Sequence, residues 1–430
     1  MTKLVACLLT AVLLMTCAPA VQAAERATAD DTARFLAGLR PSPGSPLIAL
    51  SKTAVWQRHA ARFDSVFEAK DRYSLSRIRA FAAKEVPQSD RPLLYFFSGP
   101  DFLYANAFYP DAPTYVLSGL EPAGEIPRME ELNTRALEYT LHNSERSLSS
   151  VLNLSFFQTN DMRSQLSSGL VFGTLPIIYI FLARAGKTIN EAETIVLDQE
   201  GNIKQVPAER KSGETAAAPQ DGVRGIRIVF SDKTHPRQTL YYFSGDVSNE
   251  GLRKSGLLKF CGTLGQSNAL IKSASYLLHR DRYGDLRDFI LKQSALVLQD
   301  DSGIPLSYFD ASKWDLQPFG NYVGPIPLFG NRYQVSLARL FRAPNRKAID
   351  FGVGYQWRRN TSNLLLAVKK ANSVGSSAAI KLAQRQTSPA RSKDSELTNT
   401  ATAKTRAAVT STALSRKRHE AALSVDGCGR

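Results

Sequence analysis

Five consecutive apolar residues, Leu93-Leu94-Tyr95-Phe96-Phe97, end abruptly in Ser98-Gly99-Pro100-Asp101. A strand with one face in water alternates apolar and polar residues. An unbroken apolar run is buried on both faces, as in the centre of an α/β sheet. Thr114-Tyr115-Val116-Leu117 is a second such run, ending in Ser118-Gly119-Leu120-Glu121-Pro122. The gap between them leaves room for only a short helix. The pair predicts an α/β or α+β fold, a mixed sheet flanked by helices.

The first run has a twin. Leu94-Tyr95-Phe96-Phe97-Ser98-Gly99 and Leu240-Tyr241-Tyr242-Phe243-Ser244-Gly245 agree at five of six positions, and each is closely followed by an acid, Asp101 or Asp246. A separation of 146 residues is far too long for a solenoid repeat. Two readings compete. One is an internally repeated strand–Ser-Gly-(x)-Asp unit, with pseudo-duplicated halves at 60–185 and 190–368. The other is that strands independently favour Tyr and Phe.

Helical spacing of Trp56, Phe63, Phe67, Leu75, Ile78 and Phe81 marks residues 30–85, and further helices are expected over 128–166. The apolar stretch 170–183 reads as a buried helix with Pro176 in its first turn. Residues 194–197 and 203–206 form a hairpin, 208–222 a surface loop, and 226–230 with 239–243 a further strand pair. Beyond these, 256–260 reads as a strand, 267–279 and 285–292 as helices, and 295–299 as a strand. Residues 314–343 read as an irregular covering layer ending in a helix near 333–341, and 349–355 with 363–368 as a closing hairpin. All of this is one large domain over 30–368.

The chain ends differ from this middle. Lys3, an apolar stretch over 4–15 and Val21-Gln22-Ala23 have the form of a signal peptide over 1–23, cleaved before Ala24. Lipoprotein processing at Cys17 is the alternative, with Thr16 a poor residue before it. Cleavage leaves Cys261 and Cys428, too few for a disulfide scaffold. No apolar run is long enough to span a membrane. No aromatic residue follows Trp357, and 372–430 reads as a disordered basic tail, too poor in apolar residues to offset its ordering entropy. The formal net charge is +15. From Lys369 onward the net is +8, so the folded middle is only mildly basic. A tail of this kind attracts an anionic cell-envelope polymer, and export argues against nucleic acid. A solvated extension without a role is the plainer reading.

Ligands of open α/β sheets bind beyond the carboxyl ends of strands. The polar groups there are Ser98 and Asp101, Glu121, Ser244 and Asp246, and the pair Asp300 and Asp301. Convergent carboxylates suit a hard divalent cation or acid/base hydrolysis, whereas singly each also serves as a turn or helix cap. Gly265-Gln266-Ser267-Asn268-Ala269 loosely imitates a nucleophile elbow, which would make Ser267 a nucleophile with His279 or His142. Twelve residues along one helix would hold His279 about 18 Å from Ser267, and a helix N-cap is the plainer role for that serine. No histidine has metal-ligand spacing, and no phosphate-binding glycine loop is present, so no cofactor or metal is expected.

Three phrases, Phe97-Ser98-Gly99-Pro100-Asp101, Lys272-Ser273-Ala274-Ser275-Tyr276-Leu277 and Gln299-Asp300-Asp301-Ser302-Gly303-Ile304-Pro305, resemble a family of uncharacterised exported bacterial proteins. The resemblance covers about residues 60–368. It implies an exported domain and assigns no activity. The expectation is therefore an exported, periplasmic or secreted, binding or envelope-associated protein. The alternative is a hydrolase using the strand-end carboxylates and Ser267.

Overall fold

A computed structural model describes residues 26–126, 128–156, 173–206 and 222–370. The signal segment, most of the 208–222 loop and the tail lie outside the described residues. Ten strands form one sheet: β1 (Leu93–Tyr95), β2 (Thr114–Gly119), β3 (Thr188–Leu197), β4 (Ile203–Gln205), β5 (Val223–Ser231), β6 (Gln238–Ser244), β7 (Ser267–Ile271), β8 (Ser294–Gln299), β9 (Trp314–Gly320) and β10 (Asn363–Lys369). Their order is β4-β3-β5-β6-β2-β1-β7-β8-β10-β9. The central strands β6, β2, β1, β7 and β8 are parallel, and antiparallel strands extend both flanks. The fold is therefore α/β with a mixed sheet.

Helices cover both faces, which is why the central strands carry unbroken apolar runs. One face packs α1 (Ala29–Leu36), α2 (Ala54–Lys70), α3 (Ser76–Glu85), α4 (Phe102–Phe108), α5 (Thr134–Leu154) and α6 (Leu175–Arg184). Trp56, Phe63, Phe67, Leu75, Ile78 and Phe81 are all buried in this layer, and Pro176 lies in the first turn of α6. The other face packs the shorter α7 (Asn249–Arg253), α8 (Leu257–Thr263) and α9 (Gly284–Gln293). A last helix, α10 (Val335–Leu340), belongs to the covering layer beside β9 and β10.

Four expected elements differ. Residues 256–260 fall largely in helix α8, not a strand. Residues 267–279 are not a helix: they are the fully buried strand β7, a loop and a short 3₁₀ turn at Leu277–His279. Short apolar runs fit either structure, and burial between two helical layers removed the alternation that identifies a strand. Within 314–343 lies the regular strand β9, at the sheet edge, where Pro318 needs no ladder partner for the N–H it lacks. That strand is the hairpin partner of β10, while 349–355 contributes Phe351 and Val353 to the core.

Both copies of the repeat are parallel strands of this sheet, with β2 between them. Their register is offset, however. Through β2, Tyr95 lies level with Leu117 and Tyr242, and Leu94 with Val116 and Tyr241. Matched letters of the repeat therefore mostly face opposite sides: Leu94 packs with the α7–α9 layer and Leu240 with the α1–α6 layer. A one-residue slip has that effect because side chains alternate along a strand.

Candidate functional site

Adjacent strands β1 and β7 leave the sheet in opposite directions. The first leads through α4 to β2 on one flank, and the second leads through α9 to β8 on the other. Their carboxyl ends thus flank a topological switch point, where a crevice opens. A cavity of about 280 Å³ lies there, lined from the ends of β1, β2, β6 and β7 and walled by Phe97, Phe156, Tyr283 and Tyr355.

An ion pair spans the switch point. Lys272, the first residue after β7, places Nζ 2.9 Å from Oδ2 of Asp101, and both side chains are 2% exposed. Asp101 also accepts from the Tyr95 hydroxyl at 2.8 Å and, as N-cap of α4, from the Tyr104 N–H at 3.2 Å. Lys272 additionally donates to the Ser155 carbonyl and stands 4.0 Å from the centre of the Tyr104 ring. A buried charge pair is tolerated when its remaining hydrogen-bonding capacity is filled in this way. Burial, followed by the negative charge of Asp101, pushes the Tyr95 hydroxyl well up, so it stays a donor.

Glu121 differs. It is 4% exposed, lines the cavity, and has the buried Tyr242 hydroxyl beside its carboxylate but no ion pair among the described residues. The side chain folds back over two glycines. A Cβ on Gly119 would lie 2.4 Å from Oε2 of Glu121 and 2.9 Å from Cα of Gly99, so only glycine leaves room for the carboxylate there. The Ser118 hydroxyl, on a residue 1% exposed, and the Ser273 hydroxyl likewise lack partners. Buried polar groups are almost always paired, so two unpaired hydroxyls beside an unmatched carboxylate in one cavity point outward to something that binds there.

The backbone is strained at the same place. Among the described residues the only non-glycines with positive φ are Phe97, Ser155, Ser273, Ser275 and Tyr276. Phe97 follows β1, three follow β7, and Ser155 supplies the carbonyl held by Lys272. Each such residue costs on the order of 1–3 kcal/mol, and strain of this kind persists where surrounding contacts enforce it. Here Tyr355 does so, with its hydroxyl 2.8 Å from Ser275 Oγ and 2.9 Å from the Ser273 carbonyl.

The remaining expected residues separate. Ser98 lines the cavity, its hydroxyl 3.0 Å from the Gly99 carbonyl. Asp246 lies at the rim, exposed, and accepts from the Ser248 N–H at 2.8 Å and Oγ at 2.6 Å, which organises the start of α7. Ser244 ends β6 half-buried and does not line the cavity. Asp300 and Asp301 lie behind the β7 loop. Asp300 accepts from the Ser273 N–H at 2.8 Å and the Ser302 N–H at 3.0 Å, and Asp301 from the Tyr276 hydroxyl and, at 3.2 Å, Asn363. Burial, then the neighbouring Asp300, pushes the Asp301 carboxyl up to about 7.

The elbow reading of Ser267 is corrected. It begins β7 at the amino end, 0% exposed, so four residues of strand, about 13 Å, separate it from the cavity. His279 lies beyond the other end of β7, held down to about 4 by burial and then by Arg332, and His142 is exposed on α5. The residues missed from sequence are Lys272, Tyr95, Ser118 and Tyr355. Lys272 carried a signal: a lysine directly after the apolar run Ala269-Leu270-Ile271.

No group of three or more metal-ligating side chains occurs among the described residues, and no helix there is long and apolar enough to cross a membrane. No protein-family model, curated protein or solved structure matches the chain.

Proposed function

We propose that the protein is an exported binding protein whose ligand seat is the cavity at the carboxyl ends of β1, β2, β6 and β7. The observation that carries this reading is Glu121: a carboxylate 4% exposed, without an ion pair among the described residues, held over Gly99 and Gly119 in a walled crevice beside the unpaired hydroxyls of Ser118 and Ser273. An unpaired buried polar group costs about 1–3 kcal/mol, more when charged, and a ligand that donates to it removes that cost on binding. The signal-like segment 1–23 supports export, and the net charge of +8 from Lys369 onward supports retention on an anionic envelope polymer.

Purification from the envelope fraction of an expressing bacterium tests both parts. The mature chain is expected to begin at Ala24. Mass spectrometry of the denatured protein is expected to find a stoichiometric small molecule. Leu120→Trp, at an exposed residue lining the cavity, should lose that molecule, and Ser267→Ala should keep it. Retention by Leu120→Trp would place the ligand elsewhere.

The hydrolase reading in its carboxylate form rests on the same residue, because a carboxylate lining a cavity can take a proton from a water molecule there. Turnover of a captured ligand by the wild type, absent in Glu121→Gln, would replace binding with catalysis.

A further inference from the structure

The hydrogen-bonding inventory of the cavity is lopsided. Its charged side chains are Asp101, Glu121, Asp246 and Lys272, and no Arg, His, Asn or Gln lines it among the described residues. The one cation is committed, since Lys272 is held by Asp101 and the Ser155 carbonyl. Several potential donors are committed too: Tyr95 to Asp101, Tyr355 to the Ser273 carbonyl, and the Gly99 and Gly245 N–H groups to the carbonyls of Ser118 and Gly119. What remains is the Glu121 carboxylate, the hydroxyls of Ser118 and Ser273, and an acidic rim at Asp246.

A saccharide or a carboxylate needs fixed donors, usually Arg, Asn, Gln or backbone N–H groups. This cavity instead sets three carboxylates against one ammonium group, with hydroxyls that can turn to donate or accept. An ammonium group is the complementary shape: three donors and no acceptor. Four aromatic side chains, Phe97, Phe156, Tyr283 and Tyr355, stand around it, and ring faces attract cations. The volume of about 280 Å³ admits only a small molecule.

We propose that the ligand is a small organic cation bearing a protonated primary amine, with its ammonium group donating to Glu121 and to the hydroxyls of Ser118 and Ser273. This rests on the reading of the cavity as a ligand seat and adds the class of ligand. Asp246 draws the cation to the rim, and the aromatic walls enclose its carbon chain.

Calorimetric or NMR titration of the full chain with n-butylamine, n-butanol, n-butyrate and glucose at pH 7 tests it. Butylamine is expected to bind at least tenfold more tightly than butanol, and butyrate and glucose not at all. Glu121→Gln, with an unchanged thermal midpoint, should weaken butylamine about tenfold, and Leu120→Trp should abolish its binding. Equal or tighter binding of butanol, butyrate or glucose, lost in Leu120→Trp, would overturn the cation inference and leave the ligand seat standing. Failure of all four probes, with no molecule retained from the envelope, would overturn both.

Discussion

Asp101 and Glu121 sit in one cavity at similar burial, 1% and 4% exposed, and differ in what surrounds them. Asp101 has a lysine, a tyrosine hydroxyl and a backbone N–H, so its charge is matched within the protein. Glu121 has the Tyr242 hydroxyl beside it but no lysine or arginine paired to it among the described residues, so its charge is not matched there. The first carboxylate holds the architecture, and the second is the one we propose meets the ligand. Removing one member of a buried pair leaves the other uncompensated, which costs about 3–5 kcal/mol. Lys272→Met is therefore expected to lower the free energy of urea unfolding by that amount. The double variant Asp101→Asn/Lys272→Met should recover at least half of it, because no unpaired charge remains. If the double variant is no more stable than the single one, Lys272 is stabilising through packing against Tyr104 rather than through its charge.

At the scale of elements, legibility in the sequence followed the environment of each segment. Strands β1, β2 and β6 were readable because unbroken apolar runs met turn residues, and the same turns place Ser98, Asp101 and Glu121 in the lining of the cavity. Strand β7 was not readable. Its sequence Ser267-Asn268-Ala269-Leu270-Ile271 has neither alternation nor β-branched richness, and reading it as helix hid Lys272 as a helix-surface residue. The repeat was visible as letters, yet its one-residue offset depends on pairing through β2 and is absent from the sequence. The β8 exit was legible as a pair of acids, but not its depth behind the β7 loop. That depth has a consequence for pH. Because the Asp301 carboxyl is raised to about 7 by burial and by Asp300, its protonated form belongs to the folded state. Its contribution is then full below the unfolded carboxyl value and is lost as pH rises through the folded one, an effect on the order of 4 kcal/mol. Asp301→Asn is expected to be more stable than wild type at pH 8, with a flatter dependence of unfolding free energy between pH 4 and 8. An unchanged slope in the variant would assign the titration to another group.

For the whole molecule, the order of the strands decides where function can sit. The chain builds β1 and β2, extends that flank through β3 to β6, and then returns to place β7 on the other side of β1. That return creates the switch point, and residues distant in sequence, Glu121, Ser155 and Lys272, meet there. The described non-glycine residues with positive φ gather around the same point, where the unpaired hydroxyls of Ser118 and Ser273 also lie. The central claim is that this crevice is a ligand seat organised by Glu121. A crystal structure of the protein grown with saturating n-butylamine tests it most directly. The account predicts density for the amine in the crevice, with its nitrogen within hydrogen-bond distance of the Glu121 carboxylate. An ordered amine bound elsewhere, with Glu121 facing an empty crevice, would contradict it.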